Sequence, residues 1–433
     1  MTDPASIRFG TDGVRGAAGA WPITPAGAHA IGQAVAVWAR DGDRPPQVLV
    51  ARDPRESGPA LETAVVDGLV AGGAHALVGG VMPTAAVSCA IAAHGLSGGV
   101  VLTASHNPWS DNGLKVLVAG GGKLLRPEAL EAVFGAPRPA GVPEGATAPL
   151  ADPLAPWRAA MPDLDLTGVT VLLDAASGAG HHAAVPVLEA RGARVIRRDP
   201  APTGRNINAG TGAMHPPTAA EVSAAGADLC VCLDGDADRV VLVDPASGVL
   251  DGDDLLWLLS QGDHGPLVGT IMSNGGLEAA LGDRLVRAPV GDRYVAERMA
   301  ETGARFGAEP SGHVLFADGM PTGDGLYSAL RALAAVARGG RPALPLPVGG
   351  WTRWPQVHDA VRFTGPPVPL DQLHTVGAVR ASGQRAVVRY SGTEPKLRIM
   401  VEGTGSGALA PARLVAEIAQ EFSALLDARP AAG

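Results

Sequence analysis

The chain has 433 residues, 46% hydrophobic and 4% aromatic, with a formal net charge of −9. That length accommodates about three domains, and the acidic balance gives no general attraction to nucleic acid or to an anionic membrane. "MTDPASIRFG" has no apolar signal-peptide core, no apolar run approaches a membrane span, and three cysteines do not make a disulfide framework, so a cytoplasmic protein is expected.

The first polar motif is "RFGTDGVRG", residues 8–16. Arg15 stands there between small residues, where it could reach an anion or only hold a turn. Three later stretches share one rhythm: a short β-branched strand, a polar or Gly-rich turn, an Ala-rich helix, then Gly-Ala before the next strand. They start at Val48, Val169 and Leu267, the third with an extra strand inserted. Gly73, Gly192 and Gly303 stand just past the helices, where the left-handed conformation suits glycine. The spacing predicts three related α/β domains with mostly parallel sheets, ligands meeting the loops at the strand ends. Two Pro/Gly-rich stretches, 135–156 and 338–350, read as linkers. The tail reads as a smaller unit of strands and one amphipathic helix.

Within the first unit, "GGVVL" runs into "TASHNPWSDNG". Ser105 is either a turn residue or a nucleophile. A serine hydroxyl needs a base or a metal to attack at neutral pH, and no G-x-S-x-G elbow surrounds it. His106 could shuttle a proton or only anchor the loop. Lys115 is a candidate charge clamp, or a base if its pKa is depressed.

In "DLCVCLDGDADRV", Cys230 and Cys232 lie two apart on an apolar strand and read as core. Asp234, Asp236 and Asp238 alternate, so an extended chain would point all three carboxylates one way. That many hard oxygen ligands suit Mg²⁺ with a position open for a phosphate oxygen. An EF-hand is excluded, because Arg239 and Pro245 stand where its Gly and Glu are required. A D-x-D phosphatase is disfavoured by the third Asp and the missing Thr. "FGAEPSGHVLF" offers Glu309, Ser311 and His313 in a loop that could bind sugar hydroxyls or be plain surface. "RYSGTEPKLRIMVEG" places Arg389 and Arg398 around Ser391, Gly392 and Thr393, a candidate anion cradle or a plain hairpin. A cation site with a separate anion cradle makes the parts of a phosphoryl-transfer site.

Over nearly its whole length the chain resembles the α-D-phosphohexomutase superfamily, on "FGTDGVRG", "TASHNPWSDNGLK", "DGDADR", "AEPSGH" and "RYSGTEPKLRIMVEG". Within it, "NINAGTGAMHP", "VGDRYV" and "SGTEP" point to the bacterial branch acting on glucosamine phosphate. The resemblance implies four domains around a cleft: 1–150 with a phosphoserine loop, 151–252 with a metal loop, 253–350 with a sugar loop, and an α+β domain, 351–433, with a phosphate loop. It implies phosphate on Ser105, Mg²⁺ on Asp234, Asp236, Asp238 and a phosphate oxygen of Ser105, and sugar contacts from Glu309, Ser311 and His313. Phosphate contacts fall to Arg389, Ser391, Gly392, Thr393 and Arg398, with Arg15, Lys115 and Arg239 near the moving phosphate. The implied reaction converts glucosamine 6-phosphate to glucosamine 1-phosphate through a hexose bisphosphate, towards UDP-N-acetylglucosamine and the cell wall, in a homodimer. Ala308, Pro310 and Ala237 depart from the usual Gly, Gln and Gly of these loops. A glucose- or mannose-directed enzyme of the same chemistry, or a non-catalytic sugar-phosphate sensor, are the alternatives.

Overall fold

The computed structural model describes residues 3–10, 12–42, 44–391, 395–403 and 411–427. Four sheets follow one another along it. In the first, Gly98–Leu102, Gln47–Arg52, His75–Val81 and Thr147–Pro149 run parallel, with Asp111–Val118 and then Val14–Ala17 added antiparallel at one edge. The second sets Leu229–Leu233, Thr170–Asp174 and Arg194–Arg197 in parallel and adds the antiparallel Val240–Asp244 and Gly248–Leu250. In the third, Leu285–Ala288, Leu267–Thr270 and Phe306–Ala308 are parallel and Val314–Phe316 is antiparallel. The fourth is wholly antiparallel, Gln356–Arg362, Lys396–Glu402 and Arg385–Tyr390, backed by the helices His374–Ala381 and Pro411–Asp427. The chain is thus α/β with a C-terminal antiparallel α+β unit.

The strand sequences account for their places. "GGVVL" and "LCVCL" are apolar throughout and buried at every position, as expected of strands covered on both faces. Helix Asp292–Thr302 ends at Gly303, whose φ of 71° only glycine takes without strain. Cys230 and Cys232 are buried and unbridged in the core.

One apolar cluster runs continuously through the first three sheets, from Leu49 and Met82 through Leu173 and Leu233 to Leu267 and Phe306. The tail has its own core, built on Leu397, Ile399, Ile418 and Phe422. Its link to the rest is polar. Buried Glu402 accepts from Gly275 N at 2.9 Å and from Arg385 at 2.9 and 3.0 Å, and Arg385 also donates to Ser273 O at 2.7 Å.

Neither Pro/Gly stretch is a free linker. The first supplies Thr147–Pro149 to the sheet. The second buries Leu346, whose N–H donates to Asp244 Oδ2 at 2.8 Å. The composition is right for turns, but turns can pack as tightly as regular elements.

Candidate active site

Ser105 sits three residues beyond the central strand Gly98–Leu102, where loops at strand ends gather in such sheets. Its φ is 52°, a left-handed conformation uncommon for a residue with a Cβ. Local bonds support it: Ser105 N–H donates to Thr103 Oγ1 at 2.9 Å, and Thr103 Oγ1 donates to Asp53 Oδ2 at 2.7 Å. The side chain is buried, and Oγ donates to Asp234 Oδ2 at 2.7 Å, with His106 Nδ1 3.3 Å away. Burial, with Arg239 and Arg15 nearby, draws His106 down to about 4, so its ring is neutral at pH 7.

The three aspartates converge, but not along an extended strand as their alternation suggests. Residues 234–239 form a tight turn between the antiparallel strands Leu229–Leu233 and Val240–Asp244, with Ala237 at φ 60°. The turn itself brings one oxygen of each carboxylate within 4.8 Å of the others. All three are buried, and among the described residues Asp236 Oδ1 and Asp238 Oδ1 have no hydrogen-bond partner. Buried oxygens left unpaired are expensive. Three hard carboxylate donors with two orphaned oxygens fit a divalent cation of the magnesium type. Burial, with Asp238 and Asp236 alongside, pushes Asp234 up to about 8.

Lys115 enters from the first sheet. Its ammonium lies 2.8 Å from Asp236, 3.1 Å from Asp238 and 3.0 Å from Asp12. Burial works against its charge, but these carboxylates outweigh it and hold Lys115 well above its ordinary value. It is placed as a charge clamp. The same interactions, against the upward push of burial, hold Asp238 well below the carboxylate range.

Sequence reasoning missed the next layer. Asp12 also binds Lys123 at 2.9 Å and Arg15, and Lys123 reaches on to Asp292. Asp12 and Asp292 lie inside "FGTDGVRG" and "VGDRYV", so motif membership was the available signal. Lys123 carried none. Arg55, fully buried, and Asn208 both reach the Ser105 turn, and neither was singled out.

The third sheet contributes Glu309, whose carboxylate accepts from Gly291 N–H at 3.0 Å. Ser311 is exposed beside it. His313 turns away from that open side, its ring 3.7 Å from Asp238 and 3.6 Å from Asp292. Arg239 donates its backbone N–H to Asp234 Oδ1 at 3.2 Å and holds its guanidinium 3.9 Å from Asp238. From the tail, Arg389 and Arg398 pair in register on adjacent strands, and Ser391 N–H closes the hairpin on Lys396 O at 2.9 Å. A cavity of about 460 Å³ opens along this face, lined by Met272, His358, Arg389, Arg398 and Met400. Gly392 and Thr393 lie outside the described residues. The hydroxyl, the acid cluster, Lys115, Arg15, Arg239 and His313 thus share one centre, and Arg389 of the tail is within electrostatic reach of Glu309.

Four consecutive domain descriptions of phosphoglucomutase/phosphomannomutase match the chain: alpha/beta/alpha domain I at residues 6–135, domain II at 158–248, domain III at 251–346 and the C-terminal domain at 362–421. The phosphoglucosamine mutase of Syntrophotalea carbinolica is 40% identical over 425 residues, spanning 91% of this chain and 93% of that protein. A phosphoglucomutase/phosphomannomutase family protein from Burkholderia thailandensis, 23% identical, superposes with a TM-score of 0.77 over 100% of this chain and 99% of that one. Aspergillus fumigatus N-acetylphosphoglucosamine mutase, solved with GlcNAc-6P and magnesium, has a TM-score of 0.59 at 17% identity over 79% of this chain and 92% of that one.

Proposed function

Since the chain belongs to the phosphoglucomutase/phosphomannomutase family, we propose that it interconverts glucosamine 6-phosphate and glucosamine 1-phosphate, with Ser105 carrying the transferred phosphate. It is an isomerase-class phosphotransferase. The observation that carries the assignment of Ser105 is its buried hydroxyl, donated at 2.7 Å to an acid cluster with orphaned oxygens.

In this reading the reaction has two transfers. First, a free hydroxyl of the hexosamine phosphate attacks phospho-Ser105. Its oxygen bonds to phosphorus as the sugar hydroxyl gives up its proton, the bond from phosphorus to Ser105 Oγ breaks, and Oγ takes up a proton to become a hydroxyl. The resulting bisphosphate reorients, Ser105 Oγ bonds to the other phosphorus as its own proton leaves, the bond from that phosphorus to the sugar oxygen breaks, and the sugar oxygen takes up a proton to become a hydroxyl. A magnesium ion on Asp234, Asp236 and Asp238 would neutralise charge on the moving phosphoryl group. Lys115, kept charged, adds a second cation. Ser105 Oγ directs its proton to Asp234 at 2.7 Å, with neutral His106 3.3 Å away on the same oxygen. Arg15 and Arg239 line the path, Glu309, Ser311 and His313 form the sugar loop, and Arg389, Ser391, Gly392, Thr393 and Arg398 hold the phosphate that is not being transferred.

The division at 1–150, 151–252, 253–350 and 351–433, a cytoplasmic location and a homodimer belong to the same reading. No helix among the described residues is long and apolar enough to cross a membrane. Ala308, one of the departures in the sugar loop, is fully buried at the end of the strand Phe306–Ala308. Pro310 is the residue that favours a second reading, a preference for glucose or mannose phosphates. Comparing kcat/KM on glucosamine 6-phosphate, glucose 1-phosphate and mannose 1-phosphate separates the two. The amino sugar is expected to lead, and a neutral hexose in first place would move the assignment to the sibling activity.

A further inference from the structure

The Ser105 turn is held from behind by two side chains that take no part in the chemistry described above. Arg55 is fully buried, and every N–H of its guanidinium has an acceptor. Nε donates to Asp53 Oδ2 at 2.8 Å. One Nη2 hydrogen goes to Ser105 O and the other to Asn107 O, both at 2.9 Å. Nη1 serves Asp111 O at 2.9 Å and Pro108 O. One guanidinium thus gathers four carbonyls of one turn, while the Asp53 carboxylate balances its charge.

Asn208 arrives from the second sheet's long loop, 103 residues further along the chain. Its Nδ2 donates to two of the same carbonyls, Ser105 O at 2.8 Å and Asn107 O at 2.9 Å. Its own backbone is left-handed, φ 59°, a conformation asparagine tolerates, and its N–H is tied to Ala176 O at 2.9 Å. On the remaining side Gly235, in the acid turn, packs so closely that a Cβ there would lie 2.5 Å from Ser105 O.

A non-glycine residue in the left-handed region persists only where its surroundings over-determine it. Arg55 and Asn208 supply that over-determination at Ser105 by drawing the backbone carbonyls inward, which leaves Oγ facing Asp234. We propose that Arg55 and Asn208 are positioning residues for phosphoryl transfer, and that Asn208 makes the reactive geometry of Ser105 depend on the docking of the second α/β unit against the first. The inference rests on the reading that Ser105 carries the phosphate. A serine that gives up phosphate at one sugar carbon and recovers it from another must present Oγ at the same place twice, so a shift of about 1 Å is enough to cost a hundredfold in rate.

The test uses the full-length protein with Asn208→Gly, which keeps the left-handed backbone and removes the amide, and Asn208→Asp, which keeps the shape and turns an oxygen toward both carbonyls. Arg55→Lys is a third variant, since an ammonium cannot serve four carbonyls and a carboxylate in a fixed fork. For each, kcat and KM on glucosamine 6-phosphate, the single-turnover rate of Ser105 labelling by radiolabelled glucose 1,6-bisphosphate, and Tm are measured. Both Asn208 variants are expected to lose about 10- to 100-fold in kcat and in labelling rate, with KM within about threefold. Folded Asn208 variants with wild-type kcat and labelling, whether or not Tm falls, would overturn the inference by showing that the amide only joins two units. If Arg55→Lys does not fold, the Asn208 pair decides alone. A wild-type protein that takes no label at Ser105 while Ser105→Ala still turns over would instead sink the underlying reading.

Discussion

Ser105 Oγ lies 2.7 Å from Asp234 Oδ2, although the two residues belong to different sheets and are 129 positions apart. Each follows a fully buried strand, Gly98–Leu102 and Leu229–Leu233, so two rigid frames aim the hydroxyl and the carboxylate at one point. A phosphate on that oxygen would face three carboxylates. Such a cluster of negative charge is tolerable only with cations among its members.

Turnover is therefore expected to require a divalent cation. Chelation should abolish it and added Mg²⁺ restore it. Asp238→Asn removes one ligand charge and should raise the half-saturating Mg²⁺ concentration at least about tenfold, the equivalent of ~1.4 kcal/mol. The check is a Mg²⁺ titration of activity for both proteins. Full activity in excess chelator would contradict the reading of the acid turn.

Lys115→Met leaves Asp236 and Asp238 buried with their shared cation gone, while the half-buried Asp12 keeps Lys123 and Arg15. Breaking a buried charge cluster in this way typically costs about 3–5 kcal/mol. The variant should melt well below the wild type in chelator and recover part of the loss in Mg²⁺, which takes over some of the charge. Thermal melts under both conditions test this, and a variant as stable as the wild type without metal would refute it.

Asp324, beside the Gly325 that packs on the acid turn, gives a pH signature of its own. It caps helix Gly325–Ala335 through Tyr327 N–H and accepts from Trp157 Nε1. Burial nevertheless pushes it from an ordinary 3.8 up to about 6. A folded-state value above the unfolded one means the native state holds the proton more tightly. The resulting stability is present below pH 4 and lost as pH rises through 6, about 3 kcal/mol at ~1.4 kcal/mol per pH unit. Asp324→Asn cannot titrate, so its stability should fall less than that of the wild type between pH 4 and 7. Identical pH profiles in parallel denaturation series would contradict this.

The three-unit rhythm, the tail and the main chemical groups were readable from sequence because their signals are local. Ser105 and the aspartates stand within short runs whose residue types have few bland uses. The means of convergence was not readable: alternation suggested an extended strand, whereas a turn at Ala237 gathers the oxygens. Arg55 and Lys123 carried no local signal because their partners lie 50 and 169 positions away, and Asn208 stands inside "NINAGTGAMHP" but its partner lies 103 positions away. Only the folded sheets bring such residues together. His313 shares its loop with Glu309 and Ser311, and its contact with the acids, given room by Gly323, whose Cβ would lie 2.4 Å from the ring, is one only the fold shows.

The central claim is that Ser105 carries the phosphate through turnover. Intact-mass spectrometry on wild type and Ser105→Ala, before and after mixing with glucosamine 6-phosphate and Mg²⁺, with product assayed in the same samples, tests it most directly. The account predicts one phosphate on the wild type, surrendered to the sugar as bisphosphate appears, and neither phosphate nor product from a folded Ser105→Ala. A Ser105→Ala protein that forms glucosamine 1-phosphate at the wild-type rate would contradict it.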